Sequence, residues 1–173
     1  MVWRLPIARR WMLERALARE WPRLRAFALQ LTREPASADD LLQIAAERAS
    51  RRIHQLKDPA RFRVWMYQIL RNCHIDELRR PPAACEAEVV ALPSPESELR
   101  DRRLGERIAA ALDDLPEPQR LAVWLVDGEG LTFREAADVL DLRPGTVASR
   151  VARGRATLRS DLEDLARERG VIA

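Results

Sequence analysis

The chain has 173 residues, enough for one domain or two small ones, and 47% of them are hydrophobic, so it can bury a core. Its formal net charge is +3, and nearly all the cations are arginines, since Lys57 is the only lysine. The planar fork of arginine suits phosphate groups and guanine edges, which favours a nucleic-acid partner. Arginine-rich composition also follows from GC-rich coding, so this indication is weak.

Cysteine content and hydropathy limit the cellular setting. Cys73 and Cys85 are too few for a disulfide framework and too far apart for a metal-binding pair, so we expect a reducing compartment. No stretch approaches the roughly 20 apolar residues that a membrane-crossing helix requires. We therefore expect a soluble cytoplasmic protein with no membrane insertion and no cofactor.

Two amphipathic helices are predicted at the start of the chain. Apolar residues recur at three- and four-residue steps from about Ala8 to Leu31, with a bend or restart expected at Pro22. Ser37 is predicted to cap a second helix that runs to about Ile53. This helix carries two adjacent acids in its first turn, where the helix dipole favours negative charge.

A third helix is predicted from Arg61 to Arg80, after a loop over His54 to Ala60. One face of this helix is apolar, and its members are Phe62, Trp65, Met66, Ile69 and Cys73. Trp65 could stack on a nucleic-acid base, but this spacing favours the core. His74 beside Cys73 suggests a metal site only faintly, because the other histidine, His54, is distant in sequence. The remaining faces are polar or cationic.

Residues 81–97 are predicted to form a flexible acidic linker, because they contain prolines, small residues and glutamates without a helical pattern. The linker divides the chain into predicted domains 1–80 and 98–173. Two helices are expected in the second domain before Leu131, one from about Glu98 to Leu115 and one from Pro118 to near Gly128. With no alternating strand pattern, the sequence predicts an all-α fold of two small helical domains.

Leu131 to Arg159 has the pattern of a helix-turn-helix. Thr132 and Glu135 form a capping box, which predicts a helix start, and Pro144 suits the first position of a second helix. That second helix combines a buried stripe with a face of five arginines and no acid, which are Arg143, Arg150, Arg153, Arg155 and Arg159. The pattern predicts a recognition helix for the DNA major groove, although an ordinary helical hairpin with a solvated face remains the alternative.

In this order the motifs resemble the extracytoplasmic-function sigma factors, the small two-domain members of the bacterial sigma-70 family. SADDLLQ, from Ser37 to Gln43, looks like the helix by which such factors hold the clamp of core RNA polymerase. FRVWMYQILRNCHIDELRR, from Phe62 to Arg80, looks like their promoter −10 segment. The stretch from Leu115 to Arg159 is similar to their −35-binding domain.

The resemblance implies a division of contacts among three groups of residues. Core polymerase would be bound by Asp39, Asp40, Leu41 and Gln43. The −10 element would be bound and melted by a group that comprises Arg61, Arg71, Asn72, Asp76, Arg79 and Arg80. The −35 element would be bound by a group that comprises Arg143, Thr146, Ser149, Arg150, Arg153 and Arg155, with Arg143 and Arg155 nearer the DNA backbone.

The resemblance implies core RNA polymerase, promoter DNA and an anti-sigma factor as partners. One alternative is a polymerase-independent helix-turn-helix regulator, which would bind duplex DNA as a dimer and would leave the N-terminal half without a role. A second alternative is an interaction adaptor that retains a sigma-like fold. An enzyme is not expected, because the sequence contains no Gly-rich phosphate loop, metal-ligand cluster or nucleophile-base pair.

Overall fold

A computed structural model of the protein describes residues 7–79 and 108–168, and within these residues the fold is all-α, without strands. The chain divides into two compact units. The predicted linker 81–97 and Arg80 lie outside the described residues, and the domain bounds 1–80 and 98–173 stay a prediction.

The N-terminal unit contains three helices, α1 (Ile7–Thr32), α2 (Pro35–Arg52) and α3 (Phe62–Leu78). All three pack against one another. Phe27 of α1 and Tyr67 of α3 are fully buried, with ring centroids 4.7 Å apart. Short 3-10 turns at Ile53–Gln55 and Pro59–Arg61 occupy the predicted loop.

The first two helices differ in part from the sequence predictions. Helix α1 does not restart at Pro22 but continues through it, and Pro22 is exposed, so water can replace the hydrogen bond that proline does not donate. Helix α2 begins at Pro35 and is capped by Glu34, whose carboxylate accepts hydrogen bonds from the amides of Ala36 and Ser37. The cap is therefore not Ser37, and the adjacent acids at positions 39 and 40 lie beyond the first turn.

Helix α3 buries a wider face than the sequence pattern indicated. Phe62, Met66, Ile69 and Cys73 are buried as predicted, whereas Trp65 is half-buried. The pattern missed three further core residues, which are Val64, Tyr67 and Leu70. Because α3 packs on both α1 and α2, it buries residues from two adjacent helical stripes.

The C-terminal unit contains α4, described over residues 108–114, then α5 (Glu117–Val123) and α7 (Pro144–Glu168), together with the start of α6 (Phe133–Leu140). A π-helical turn, Trp124–Gly128, extends α5. Helices α5 and α7 pack against each other. Ala111, Leu121 and Leu125 are buried there, whereas Ile108 is exposed.

Gly154 lies on the side of α7 that packs against α5. A Cβ atom at this position would stand 2.7 Å from Cγ2 of Val123, closer than packed carbon atoms normally approach. Glycine is therefore required here by packing, since the helical backbone itself does not need it. Helix α7 also extends to Glu168, beyond the predicted end at Arg159.

Candidate nucleic-acid interface

The predicted capping box at the start of α6 is present. The backbone amide of Glu135 donates to Thr132 Oγ1 at 3.2 Å, and the amide of Thr132 donates to Glu135 Oε2 at 2.9 Å. These two bonds satisfy amide groups that a helix start leaves without partners. Phe133, the first residue of the helix, is 42% exposed.

A three-residue turn separates α6 from α7. Asp141 adopts the left-handed conformation with φ of 51°, and the amide of Leu142 donates to the Ala137 carbonyl at 3.0 Å, which closes the end of α6. The Arg143 carbonyl then accepts hydrogen bonds from the amides of Thr146 and Val147 as α7 begins. This arrangement of two helices and a tight turn is the helix-turn-helix that the sequence predicted.

The two faces of α7 differ in burial and charge. Val147, Val151 and Gly154 are buried and form the packed face. On the opposite side the predicted −35 contacts divide by exposure: Arg143, Ser149, Arg153 and Arg155 are exposed, and Thr146 and Arg150 are half-buried. The exposed face is cationic and accessible along the first three turns, as a recognition helix requires.

Ser149 and Arg153 are linked along the exposed face of α7. Ser149 Oγ donates to the Thr146 carbonyl at 2.9 Å, and Arg153 Nε donates to the Ser149 carbonyl at 3.2 Å. These bonds lie within one helix and hold both side chains close to its surface.

Arg155 is held by a partner that the sequence pattern did not identify. Its Nε donates to Asp127 Oδ2 at 2.9 Å and its Nη2 donates to Asp127 Oδ1, so the π-helical turn is joined to α7. This hydrogen bond and the negative charge of Asp127 raise the pKa of Arg155. A residue predicted to contact the DNA backbone is thus also part of an ion pair within the protein.

The predicted −10 residues of α3 lie in different surroundings. Arg71 is half-buried, whereas Arg61, Asn72 and Arg79 are exposed. Asp76 accepts a hydrogen bond at 2.7 Å from Nη1 of Arg48 on α2, so it joins two helices. An anionic Asp76 would repel DNA phosphate. The ion pair with Arg48 therefore explains the presence of an acid here better than a contact with DNA does.

The predicted polymerase-binding residues of α2 also separate into two groups. Leu41 is fully buried, so it supports the helix from within the core and offers no surface for a partner. Asp40 and Gln43 are exposed. Asp39 accepts two hydrogen bonds from Arg25 of α1, at 2.6 Å from Nε and 3.0 Å from Nη2. This pairing lowers the pKa of the Asp39 carboxyl group.

The Arg25–Asp39 pair leads to a pH-dependent prediction. Because the folded protein lowers the pKa of Asp39, the unfolded chain binds more protons near that pKa, so the contribution of the pair is present at neutral pH and lost as the pH falls below about 4. Both side chains are largely exposed, which limits the effect to less than about 1 kcal/mol. Urea unfolding of the unaltered protein and of Asp39→Asn, measured from neutral to acidic pH, should show a stability difference that closes on acidification.

Asp40→Asn is the matched control, since this neighbouring carboxylate is also exposed. We expect it to change the free energy of unfolding by less than about 0.5 kcal/mol. A difference between Asp39→Asn and the unaltered protein that persists below the carboxyl pKa range would contradict the assigned ion pair.

Cys73 is buried, and burial raises the pKa of its thiol. Within residues 7–79 and 108–168 no group of three His, Cys, Asp or Glu side chains is placed to hold a metal ion. Over the same residues, none of the helices combines the length and the apolar character needed to span a membrane.

Sequence reasoning missed the internal partners Arg25, Arg48 and Asp127. Arg25 is 14 residues from Asp39, while Arg48 and Asp127 are each 28 residues from their partners. Helical spacing reveals pairs three or four residues apart, so no local signal could have identified these three. They become visible only when the helices pack.

Two family profiles match the chain, one in each half. Residues 16–81 match Sigma-70 region 2, and residues 105–158 match Sigma-70 region 4. The second match contains the helix-turn-helix, and the first contains α2 and α3.

Individual proteins agree with these matches. The ECF RNA polymerase sigma factor SigE of Mycolicibacterium smegmatis is 35% identical over 148 residues, which cover 81% of this chain and 57% of SigE. The chain thus spans little more than half the length of that relative. EcfG of Rhodopseudomonas palustris, also an ECF RNA polymerase sigma factor, is 33% identical over 141 residues, which cover 79% of this chain and 77% of EcfG.

A solved structure extends the likeness to the fold. The sigma factor RpoE of Bartonella quintana, crystallised with the anti-sigma factor NepR, superposes with a TM-score of 0.70 at 26% identity, over 87% of this chain and 96% of that one. The same family is indicated by the matches in both halves of the sequence, by their order and by the helical fold. The chain belongs to the extracytoplasmic-function sigma factors of the sigma-70 family.

Proposed function

We propose that this protein binds core RNA polymerase, recognises the −35 and −10 elements of promoters, and promotes DNA melting at the start of transcription. The observation that carries the proposal is the presence in one chain of a region 2 match followed by a region 4 match that contains the helix-turn-helix. A sigma factor needs both halves, because polymerase must be positioned by two promoter elements at once. The protein would act in the bacterial cytoplasm as a polymerase subunit and not as an enzyme.

Recognition of the −35 element is assigned to α7. Its exposed face offers Ser149 and Arg153 side by side, with the half-buried Arg150 one residue from Ser149. Arginine donates two hydrogen bonds to guanine in the major groove, and the serine hydroxyl can donate to or accept from a base edge. Arg143 at the helix start and Arg155 further along would contact phosphates on either side of the groove.

Recognition of the −10 element is assigned to α3 and the turn before it. Arg61, Arg71, Asn72 and Arg79 provide cationic and amide groups, which suit the backbone and the edges of unpaired bases. We assign Asp76 a supporting role, since its carboxylate is engaged by Arg48. Arg80 belongs to the same sequence group.

Two protein partners complete the proposal. Core polymerase would contact the exposed part of α2, where Asp40 and Gln43 lie beside the Arg25–Asp39 pair. An anti-sigma factor would hold the protein inactive until a signal arrives. The Bartonella quintana relative was crystallised with such a factor, which supports this part of the proposal.

Run-off transcription tests the proposal. The purified protein is mixed with bacterial core RNA polymerase and a pool of promoter fragments, and we expect specific transcripts that are absent without the protein. Failure to bind core polymerase would rule out the proposed function. Tight sequence-specific binding to duplex DNA without polymerase would favour the helix-turn-helix regulator, and polymerase binding without transcripts would favour the adaptor.

Charge reversal at Asp40 tests the docking surface. Asp40→Arg should weaken binding to core polymerase by about tenfold while the helix content is unchanged, because an exposed interface charge is replaced by its opposite. Asp40 is preferable to Asp39, whose reversal would also break the ion pair with Arg25. Fluorescence anisotropy of the labelled protein titrated with core enzyme would measure the change.

Asp114→Arg is the control for this substitution, since Asp114 is an exposed acid at the end of α4. It makes the same change in net charge at a distance from α2 in the sequence. Equal losses for the two variants would indicate a general charge effect, and an unchanged affinity for Asp40→Arg would mean that the docking surface has been misplaced.

A further inference from the structure

The ion pair between Arg155 and Asp127 leaves part of the guanidinium accessible. Asp127 accepts hydrogen bonds from Nε and Nη2, which lie along one side of the guanidinium plane. The edge formed by Nη1 and the second proton of Nη2 is not used by this carboxylate. The Arg155 side chain remains 54% exposed, so a ligand can reach the unused edge.

The carboxylate of Asp127 is carried by a hydrogen-bonded backbone turn. The π-helical turn Trp124–Gly128 is closed by a hydrogen bond of 3.0 Å from the Glu129 amide to the Trp124 carbonyl. The Leu131 amide donates to the carbonyl of the buried Leu125, also at 3.0 Å. Here the turn points a carboxylate at the recognition helix.

We propose that Asp127 is a positioning residue for DNA binding, which holds Arg155 side-on so that the free edge of its guanidinium donates to a backbone phosphate. This inference rests on the proposed binding of DNA by α7. An unrestrained arginine loses much rotamer entropy when it is ordered on a phosphate. An arginine already ordered by a carboxylate loses less rotamer entropy on binding and presents its guanidinium to the phosphate in a fixed direction.

The charge of Asp127 makes the inference easy to test, since a simple electrostatic argument predicts the opposite result. An acid near DNA repels phosphate, so its removal should tighten binding if its only effect were through charge. If Asp127 positions Arg155, its removal weakens binding although the protein becomes more positive. The direction of the change therefore distinguishes the two roles.

The experiment uses the complex of the full chain with core RNA polymerase and a fluorescently labelled promoter fragment that gives a specific transcript, with anisotropy measured over a range of salt concentrations. Asp127→Asn should weaken binding about three- to tenfold, the loss expected when one long side chain is no longer ordered beforehand. Arg155→Ala should weaken binding at least as much and lower the salt slope by about one. The double variant should bind no more weakly than Arg155→Ala alone.

Two further variants separate positioning from charge and from folding. Asp141→Asn removes the same charge in the helix-turn-helix turn, where asparagine tolerates the left-handed backbone, and should leave binding unchanged or tighter. Asp127→Glu keeps a carboxylate and should recover part of the affinity that Asp127→Asn loses. Thermal unfolding of each variant reports any loss of fold separately.

Tighter binding by Asp127→Asn would overturn the inference, because Asp127 would then mask Arg155. Unchanged binding would also overturn it, because the ion pair would then have only a structural role. Additive losses in the double variant would also overturn it, since the two residues would then act independently. Absence of promoter binding by the polymerase complex of the unaltered protein at low salt would instead contradict the proposed function, and the inference would fall with it.

Discussion

Replacement of Gly154 by alanine is expected to destabilise the C-terminal helices by about 1–2 kcal/mol. The added Cβ would stand 2.7 Å from Cγ2 of Val123, with Gln119 and Leu115 atoms at 3.6 Å. Overpacking of this kind costs about 2–3 kcal/mol, and the better helix propensity of alanine offsets about 1 kcal/mol. Urea unfolding followed by circular dichroism, with amide exchange in α5 and α7 to locate the change, would measure it.

Gly145 provides the matched control for this substitution. It lies in the first turn of the same helix, and a Cβ atom there would meet nothing within 4 Å. Gly145→Ala should therefore be neutral or stabilising by up to about 1 kcal/mol. Equal effects at the two positions would mean that packing against α5 is not the reason for Gly154.

A double-mutant cycle with Val123 tests the contact itself. Val123→Ala removes the atom that an alanine at position 154 would strike, so it should cost less in the Gly154→Ala background than in the unaltered protein. If the two losses simply add, the clash has been relieved elsewhere and the assigned cause is wrong.

Removal of Arg150 and Arg153 together should weaken binding to a −35 element by about 100-fold, because each well-placed arginine contact to a base contributes roughly 1–3 kcal/mol. The fold should be kept, since Arg153 is exposed and its described hydrogen bonds run to Ser149 on the same helix. Each arginine that contacts phosphate instead should lower the salt slope by about one when replaced singly. Affinity of the polymerase complex for a transcribed promoter fragment would report the change.

Arg159→Ala is the control for these arginines. Arg159 is exposed on the same helix, beyond the turns that carry Ser149 and Arg153. Its loss should change the affinity only slightly. A loss as large as that of Arg153→Ala would show that binding depends on total charge, and unaltered −35 affinity in both Arg150→Ala and Arg153→Ala would mean that the recognition face has been misassigned.

Three charged residues that the family resemblance assigned to outside partners also have partners within the protein. Asp39 pairs with Arg25, Asp76 with Arg48, and Arg155 with Asp127. Each pair is at least partly exposed, so it adds little stability. Residue type and position in a motif therefore do not distinguish a residue that contacts an outside partner from a residue that orients such a contact residue.

The sequence by itself determined the elements whose signals are local. The capping box at Thr132 and Glu135, the start of α7 at Pro144 and the all-α class follow from propensity, capping and helical period, which act over a few residues. The same local reasoning misplaced the cap of α2, because Pro35 can begin a helix as readily as Ser37 can precede one.

Only the tertiary structure decided which side chains remain available to a partner. Leu41 is in the core, Asp39 and Arg155 are held by distant residues, and Tyr67 and Val64 join the core because α3 packs on two helices. Burial and ion pairs between residues far apart in the chain depend on how helices meet, which period and spacing within one helix do not specify. The need for glycine at position 154 has the same origin, since the atom that excludes a Cβ belongs to Val123 on α5.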